Sequence, residues 1–333
     1  MNYKTEEYFQ TLHKKTLSYC PGKKMDKTTL LELLGDFQNK EDVSPPYVIE
    51  SEDVSGYRRE RYVFHTTQGL SAPVYVLTPK NGRKKHAVVL ALHGHGYGSR
   101  EIVGLTEDGQ EDTGNDGIHQ QFAKRLVEQG FKVFAPEMIG IGDRRLDEDK
   151  KFNRPHSCYR MAVCLLAAGK TLAGLRVFEA RQWLDKMASF SDVENRRMGI
   201  MGFSGGGMTA AYTAALDERI KAVVLSGFTN TYQASILAEE HCLDNVVPGM
   251  PAAAELPEYI GLIAPRPLFI ESGRHDPIFP MKGAAEAVEY LRGIYRQFHA
   301  ESEIVWDLFE GEHEVNGKEA YKWLRKKLQA AGE

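Results

Sequence analysis

Long apolar runs are missing from this sequence. A membrane-spanning helix needs about 20 such residues, and the longest stretches, Ala87 to Leu92 and Met161 to Ala168, stop far short. Cysteine is scarce: Cys20, Cys158, Cys164 and Cys242 are the only four in 333 residues, and none forms a C-x-x-C pair. That usage argues for free thiols in a reducing cytoplasm rather than a disulfide scaffold. Positive charge is not in surplus either. Lys and Arg number 42 against 46 Asp and Glu, a net charge of −4, so nucleic acid is not an expected partner. The basic triplets Arg83-Lys84-Lys85 and Arg325-Lys326-Lys327 read as solvated surface. The opening MNYKTEEYFQTLHKK has no apolar core and no small-residue cleavage site, so no secretory leader is expected. No G-x-G-x-x-G and no G-x-x-x-x-G-K-[ST] follows a strand, and no nucleotide cofactor is expected. The absences describe a soluble, cytoplasmic protein without membrane or nucleic-acid partners; self-association stays open.

What is present is apolar enough, at 42% hydrophobic, for one large core. Residues 2–39 read as helical, with Leu30, Leu31, Leu33 and Leu34 at helical spacing and a stop near Gly35. Arg59–His65 and Ser71–Leu77, parted by Gln68-Gly69, read as a β-hairpin. A helical extension over 1–54 leading into a main domain over 55–333 is the expected organisation. From Lys85 onward strands and helices alternate. Strands are expected at His86–His93, Phe131–Pro136, Met198–Gly202, Ala222–Ser226, Pro267–Glu271 and Glu303–Leu308. Helices are expected at Gly117–Gln129, Met161–Met187, Gly205–Leu216, Met281–Gln297 and Lys318–Ala330. Continuous runs such as AVVLAL suit strands covered on both faces, and the alternation predicts an α/β fold with a doubly wound, mostly parallel sheet. Two long connections, 94–116 and 228–257, break the rhythm at the carboxyl ends of strands, where such sheets bind ligands.

The sharpest motif is Gly202-Phe203-Ser204-Gly205-Gly206, a G-x-S-x-G between an expected strand and an expected helix. A serine hydroxyl is a weak nucleophile until it is presented and deprotonated. A strained strand-to-helix turn presents it, and flanking glycines leave room for that turn. An acid and then a histidine should follow downstream. Asp276 sits in SGRHDP after one strand and His313 in EGEHE after the next, so Ser204, Asp276 and His313 have the order and placement of nucleophile, acid and base. His275 is the poorer base because it neighbours the acid. Glu271 and Glu312 are the rival acids. The run His93-Gly94-His95-Gly96-Tyr97-Gly98 after AVVLAL suggests an oxyanion hole made by the backbone N–H groups of His95 and Gly205. His93 and His95 could instead hold a metal, but a third ligand at suitable spacing is not evident. Metal-free chemistry, indifferent to chelators, is therefore expected. Asp143-Arg144-Arg145 reads as a structural ion-pair network beneath a long loop.

At this point HGHGYGSRE, LAGLRVFEARQWLD, MGFSGGGMTA, IAPRPLFIESGRHDPIFP and FEGEHE resemble the α/β-hydrolase family that joins dienelactone hydrolases to acetyl xylan esterases. The resemblance runs from about Tyr62 to the C-terminus and places the family's triad on Ser204, Asp276 and His313. It implies an esterase acting on a small-molecule ester. Dienelactone hydrolases carry a nucleophilic cysteine where this chain has Ser204. The xylan branch carries R-G-Q-G and G-x-S-Q-G where MIGIGDRR and GFSGG stand here, so neither substrate carries over. Two alternatives remain: a peptidase related to prolyl oligopeptidase, and a non-catalytic protein on a hydrolase fold. The first usually carries a β-propeller, which about 80 N-terminal residues cannot build. The second requires a lost triad member.

Overall fold

A computed structural model of the protein describes residues 4–5, 7–9, 11–12, 25–35, 37, 44–66, 69–114, 117–238 and 240–329. The strands are β1 (Tyr47–Val54), β2 (Tyr57–His65), β3 (Ser71–Pro79), β4 (His86–Leu92), β5 (Lys132–Pro136), β6 (Val193–Phe203), β7 (Ile220–Ser226), β8 (Leu268–Gly273) and β9 (Ile304–Phe309). They form one sheet in the order β1-β2-β3-β5-β4-β6-β7-β8-β9. The pairings from β1 to β5 through β2 and β3 are antiparallel, and all the others are parallel. The principal helices are α1 (Lys27–Leu34), α2 (Phe122–Glu128), α3 (Cys158–Ala167), α4 (Leu172–Ala188), α5 (Gly205–Leu216), α6 (Met281–Gln297) and α7 (Lys318–Gln329). Among the described residues no single helix is long and apolar enough to cross a membrane.

The continuous apolar strands are explained by a core on each face of the sheet. Successive side chains of a strand point to opposite faces. On β4, Val88, Leu90 and Leu92 enter a core shared with α1, α4 and α5, while Val89 and Ala91 enter a second core shared with α2 and α7. All seven β4 residues are buried. The strand ends that result are rigid platforms for the loops above them.

Several expected elements differ in detail. The stretch read as one helix from Met161 to Met187 is α3 and α4, meeting at a bend of 98°. Gly169 has a φ of +68°, and Thr171 restarts the helix by accepting a hydrogen bond from Gly174 N at 2.9 Å. Helix α2 begins at Phe122 rather than Gly117 because Gln120 and Gln121 have φ of +51° and +48°. Within the helical reading of 2–39, α1 is capped by Asp26, which accepts from Thr29 N at 2.8 Å, and closes at Gly35 with a φ of +99°. Leu30 and Leu34 are buried in the main core, whereas Leu31 is exposed. Gln68, Cys20 and much of 2–39 lie outside the described residues. The boundary drawn at 54/55 falls between β1 and β2, which are paired neighbours in the one sheet. Asp143 takes ion pairs from Arg61 and Arg100, the latter at 3.0 Å, and Arg144 pairs with buried Glu179 at 2.6 Å.

Candidate active site

Strand β6 stops at Phe203 and α5 starts at Gly205, which leaves Ser204 alone in the turn with φ +55° and ψ −122°. A residue with a Cβ rarely adopts positive φ, and such strain persists only where the surroundings enforce it. Here Ser204 N donates to Ser226 O at the end of β7 at 2.9 Å. The flanking glycines are a steric requirement. A Cβ on Gly206 would run into the Leu92 carbonyl oxygen, and one on Gly202 into the Gly206 carbonyl oxygen.

Two segments of the sheet's carboxyl edge converge on that serine. His313, on the loop after β9, places Nε2 3.0 Å from Ser204 Oγ. Its Nδ1 lies 2.7 Å from Oδ2 of Asp276, which follows β8. Asp276 is buried, and its other oxygen accepts the backbone N–H groups of Ile278 and Phe279, each at 2.8 Å. The imidazole is held between aromatic rings: Phe279 stacks at 5.7 Å and 20°, and Phe203 lies at 4.7 Å. Ser204, His313 and Asp276 thus stand in continuous hydrogen-bonding order.

The rival side chains face elsewhere. Glu271 is buried at the end of β8, where it accepts from Ser226 Oγ at 2.7 Å, Gly317 N at 2.6 Å and Asn316 N at 3.2 Å. It anchors the far end of the histidine loop. Burial, offset in part by those donors, pushes its carboxyl up to about 7. Glu312 is exposed. His275 pairs with Glu310 at 2.6 Å on the surface.

The H-G-H segment runs directly over the elbow: a Cβ on Gly94 would meet Ser204 Cβ at 3.0 Å. Its two histidines have different surroundings. His93 is fully buried; Nδ1–H donates to Gly94 O at 2.8 Å and Nε2 accepts from Met138 N at 3.0 Å. Burial pushes its pKa down to about 3, so the ring is neutral. Both nitrogens are used, which removes His93 from any metal set. Because a trans peptide points its C=O and N–H in opposite directions, fixing the Gly94 carbonyl also aims the His95 N–H. From the other side His119 Nε2 accepts Gly94 N at 3.0 Å, and its Nδ1 lies 2.8 Å from Glu101. His119 had no local signal in the sequence. Gly205, first in α5, has no intrahelical acceptor for its N–H. The loop rests on Glu137, buried at the end of β5, which accepts from Ser99 N at 3.2 Å. Burial raises its carboxyl to about 7 against the opposing Ser99 hydrogen bonds.

Comparison with known proteins places this geometry in context. A model of the Abhydrolase family matches residues 7–291. The Bacillus subtilis protein YtaP, named as a hydrolase, is 28% identical over 279 residues, spanning 80% of this chain and 85% of its own. A Bacteroides fragilis structure assigned as an acetyl xylan esterase superposes with a TM-score of 0.74 at 17% identity, covering 90% of this chain and 82% of that one. A glucuronoyl esterase from Solibacter usitatus superposes with a TM-score of 0.67 at 14% identity, covering 92% of each chain. At such identities the structures establish a shared α/β-hydrolase fold.

Proposed function

The chain belongs to the Abhydrolase family, and from that premise we propose that it hydrolyses carboxylic esters through an acyl-enzyme on Ser204. The observation that carries this reading is the continuous chain from Ser204 Oγ to His313 to Asp276, at 3.0 and 2.7 Å, on a strained elbow. Its chemistry follows from the geometry. His313 Nε2 takes the hydroxyl proton as Oγ attacks the ester carbonyl, while Asp276 holds Nδ1–H and stabilises the imidazolium. The N–H groups of Gly205 and His95 supply two donors for the tetrahedral oxyanion. His313 then protonates the departing alcohol, and water enters by the same proton route to release the acid. The esterase names carried by structures of the same fold favour esters over amides as substrates.

The test is a series of p-nitrophenyl esters of increasing acyl length beside aminoacyl-nitroanilides, run on wild type and Ser204→Ala. Ester turnover lost in the variant fits the proposal. Preferential turnover of the anilides would make the protein a peptidase instead.

A further inference from the structure

We propose that His95, His156, Cys158 and Cys242 form a binding site for a zinc-class divalent cation beside the oxyanion loop. One donor atom from each residue lies within 4.8 Å of all the others. A tetrahedral zinc ion, with bonds of about 2.3 Å to sulfur and about 2.0 Å to nitrogen, wants its donors about 3.3 to 3.8 Å apart. Side-chain rotation spans the remaining ångström. Two thiolates with two imidazoles are the donors that select zinc over hard, oxygen-seeking cations. No such set shows along the chain because the ligands come from separate segments: His95 from the loop after β4, His156 and Cys158 from the start of α3, and Cys242 from the long connection after β7.

Independent features of the cluster also point to a cation. His156 Nδ1 is buried and has no hydrogen-bond partner among the described residues, a state that native proteins rarely leave unexplained. Arg176, itself buried, donates Nη2 to Cys158 Sγ at 3.2 Å and is ion-paired with Asp244. An arginine donating to a ligand sulfur is an outer partner that orients and charge-balances a metal thiolate. Two thiolates and a divalent cation sum to zero, as do Arg176 and Asp244, so the filled site buries no net charge. A cavity of about 290 Å³, lined by His95, Tyr97, Arg145 and His156 among others, adjoins the cluster and offers an entry path.

The ion would act as a clip. It ties the 94–116 and 228–257 connections to α3, so that binding free energy becomes order in the loop that carries the His95 N–H. It takes no part in proton transfer between Ser204 and His313.

The experiment uses the full chain, reduced, stripped with a strong chelator and titrated with cobalt(II), then zinc(II). We expect one cobalt per chain, with thiolate-to-metal charge-transfer and tetrahedral d–d absorption, displaced by one equivalent of zinc. The melting temperature should rise as the metal binds. His156→Ala should weaken binding by about a hundredfold or more, and Cys242→Ala, which leaves Cys158 as the one thiolate donor, should weaken binding and cut the charge-transfer band to about half or less. Cys164→Ala, at an exposed thiol outside the cluster, should keep both. Because Cys158 is fully buried, the half-buried Cys242 carries the decisive variant, with circular dichroism verifying its fold. Absence of the band in reduced wild type, formation of a Cys158–Cys242 disulfide in the presence of zinc, or a band of undiminished intensity in a folded Cys242→Ala would overturn the proposal. None of these outcomes depends on ester turnover.

Discussion

Replacing Asp276 by Asn changes one atom, and the surroundings dictate how the amide must sit. In the native site Oδ1 accepts two backbone N–H groups, from Ile278 and Phe279, while Oδ2 faces His313 Nδ1. An asparagine has one acceptor oxygen and one donor NH₂. If the NH₂ faced Ile278 and Phe279, donors would meet donors, so the oxygen stays there and the NH₂ turns to His313. Nδ1 must then be the acceptor, which moves the ring proton to Nε2, facing Ser204 Oγ. An Nε2–H cannot take the serine proton. The backbone bonds that hold residue 276 survive, so the melting temperature should stay within a few degrees of wild type. In the serine-protease triad the same change, which imposes the wrong tautomer, costs about 10⁴-fold in kcat; that is about 5 kcal/mol of barrier. We expect a deficit of several hundred-fold or more in kcat/KM for p-nitrophenyl acetate. A folded Asp276→Asn within tenfold of wild type would refute the reasoning, and a crippled Glu271→Gln beside it would transfer the role to Glu271.

Two further outcomes follow from the buried neighbours. Glu137 titrates near 7 in the folded protein against 4.5 as its ordinary value, so the folded state keeps a proton that the unfolded state releases. Stability attributable to this group therefore falls as pH rises from about 4.5 to about 7, by up to about 3 kcal/mol, and levels off above. Glu271 contributes in the same direction. Glu137→Gln, whose amide can accept from Ser99 N and donate to Ser99 Oγ, should flatten part of that decline in melting scans from pH 4.5 to 8; an unchanged slope would contradict it. His119→Ala removes the acceptor of the Gly94 N–H, a loss of about 1–3 kcal/mol. We expect kcat to fall about ten- to hundredfold with KM little changed, and His119→Gln to restore part of it; equal kcat in all three proteins would remove His119 from the positioning of the loop.

The candidate triad was legible because each member follows its own strand and carries a local motif. GFSGG, SGRHDP and FEGEHE stand at the carboxyl ends of β6, β8 and β9, and parallel neighbouring strands necessarily bring those ends together. Legibility ended where contacts join segments without a shared strand end. Nothing local marks His119 as a partner of Gly94, or His156 and Cys242 as neighbours of His95; those meetings depend on how the long connections fold back. The break between α3 and α4 was hidden for another reason. The apolar pattern runs on through the bend, and only the cap at Thr171 and the positive φ of Gly169 interrupt it.

The most direct measurement of the central claim is mapping of covalent modification. Wild-type protein treated with a fluorophosphonate probe should gain one adduct by intact mass, located by peptide sequencing on Ser204. Ser204→Ala should gain none while keeping its melting temperature, and His313→Ala should label far more slowly. Undiminished labelling of Ser204→Ala, or an adduct on any other residue, would contradict the account.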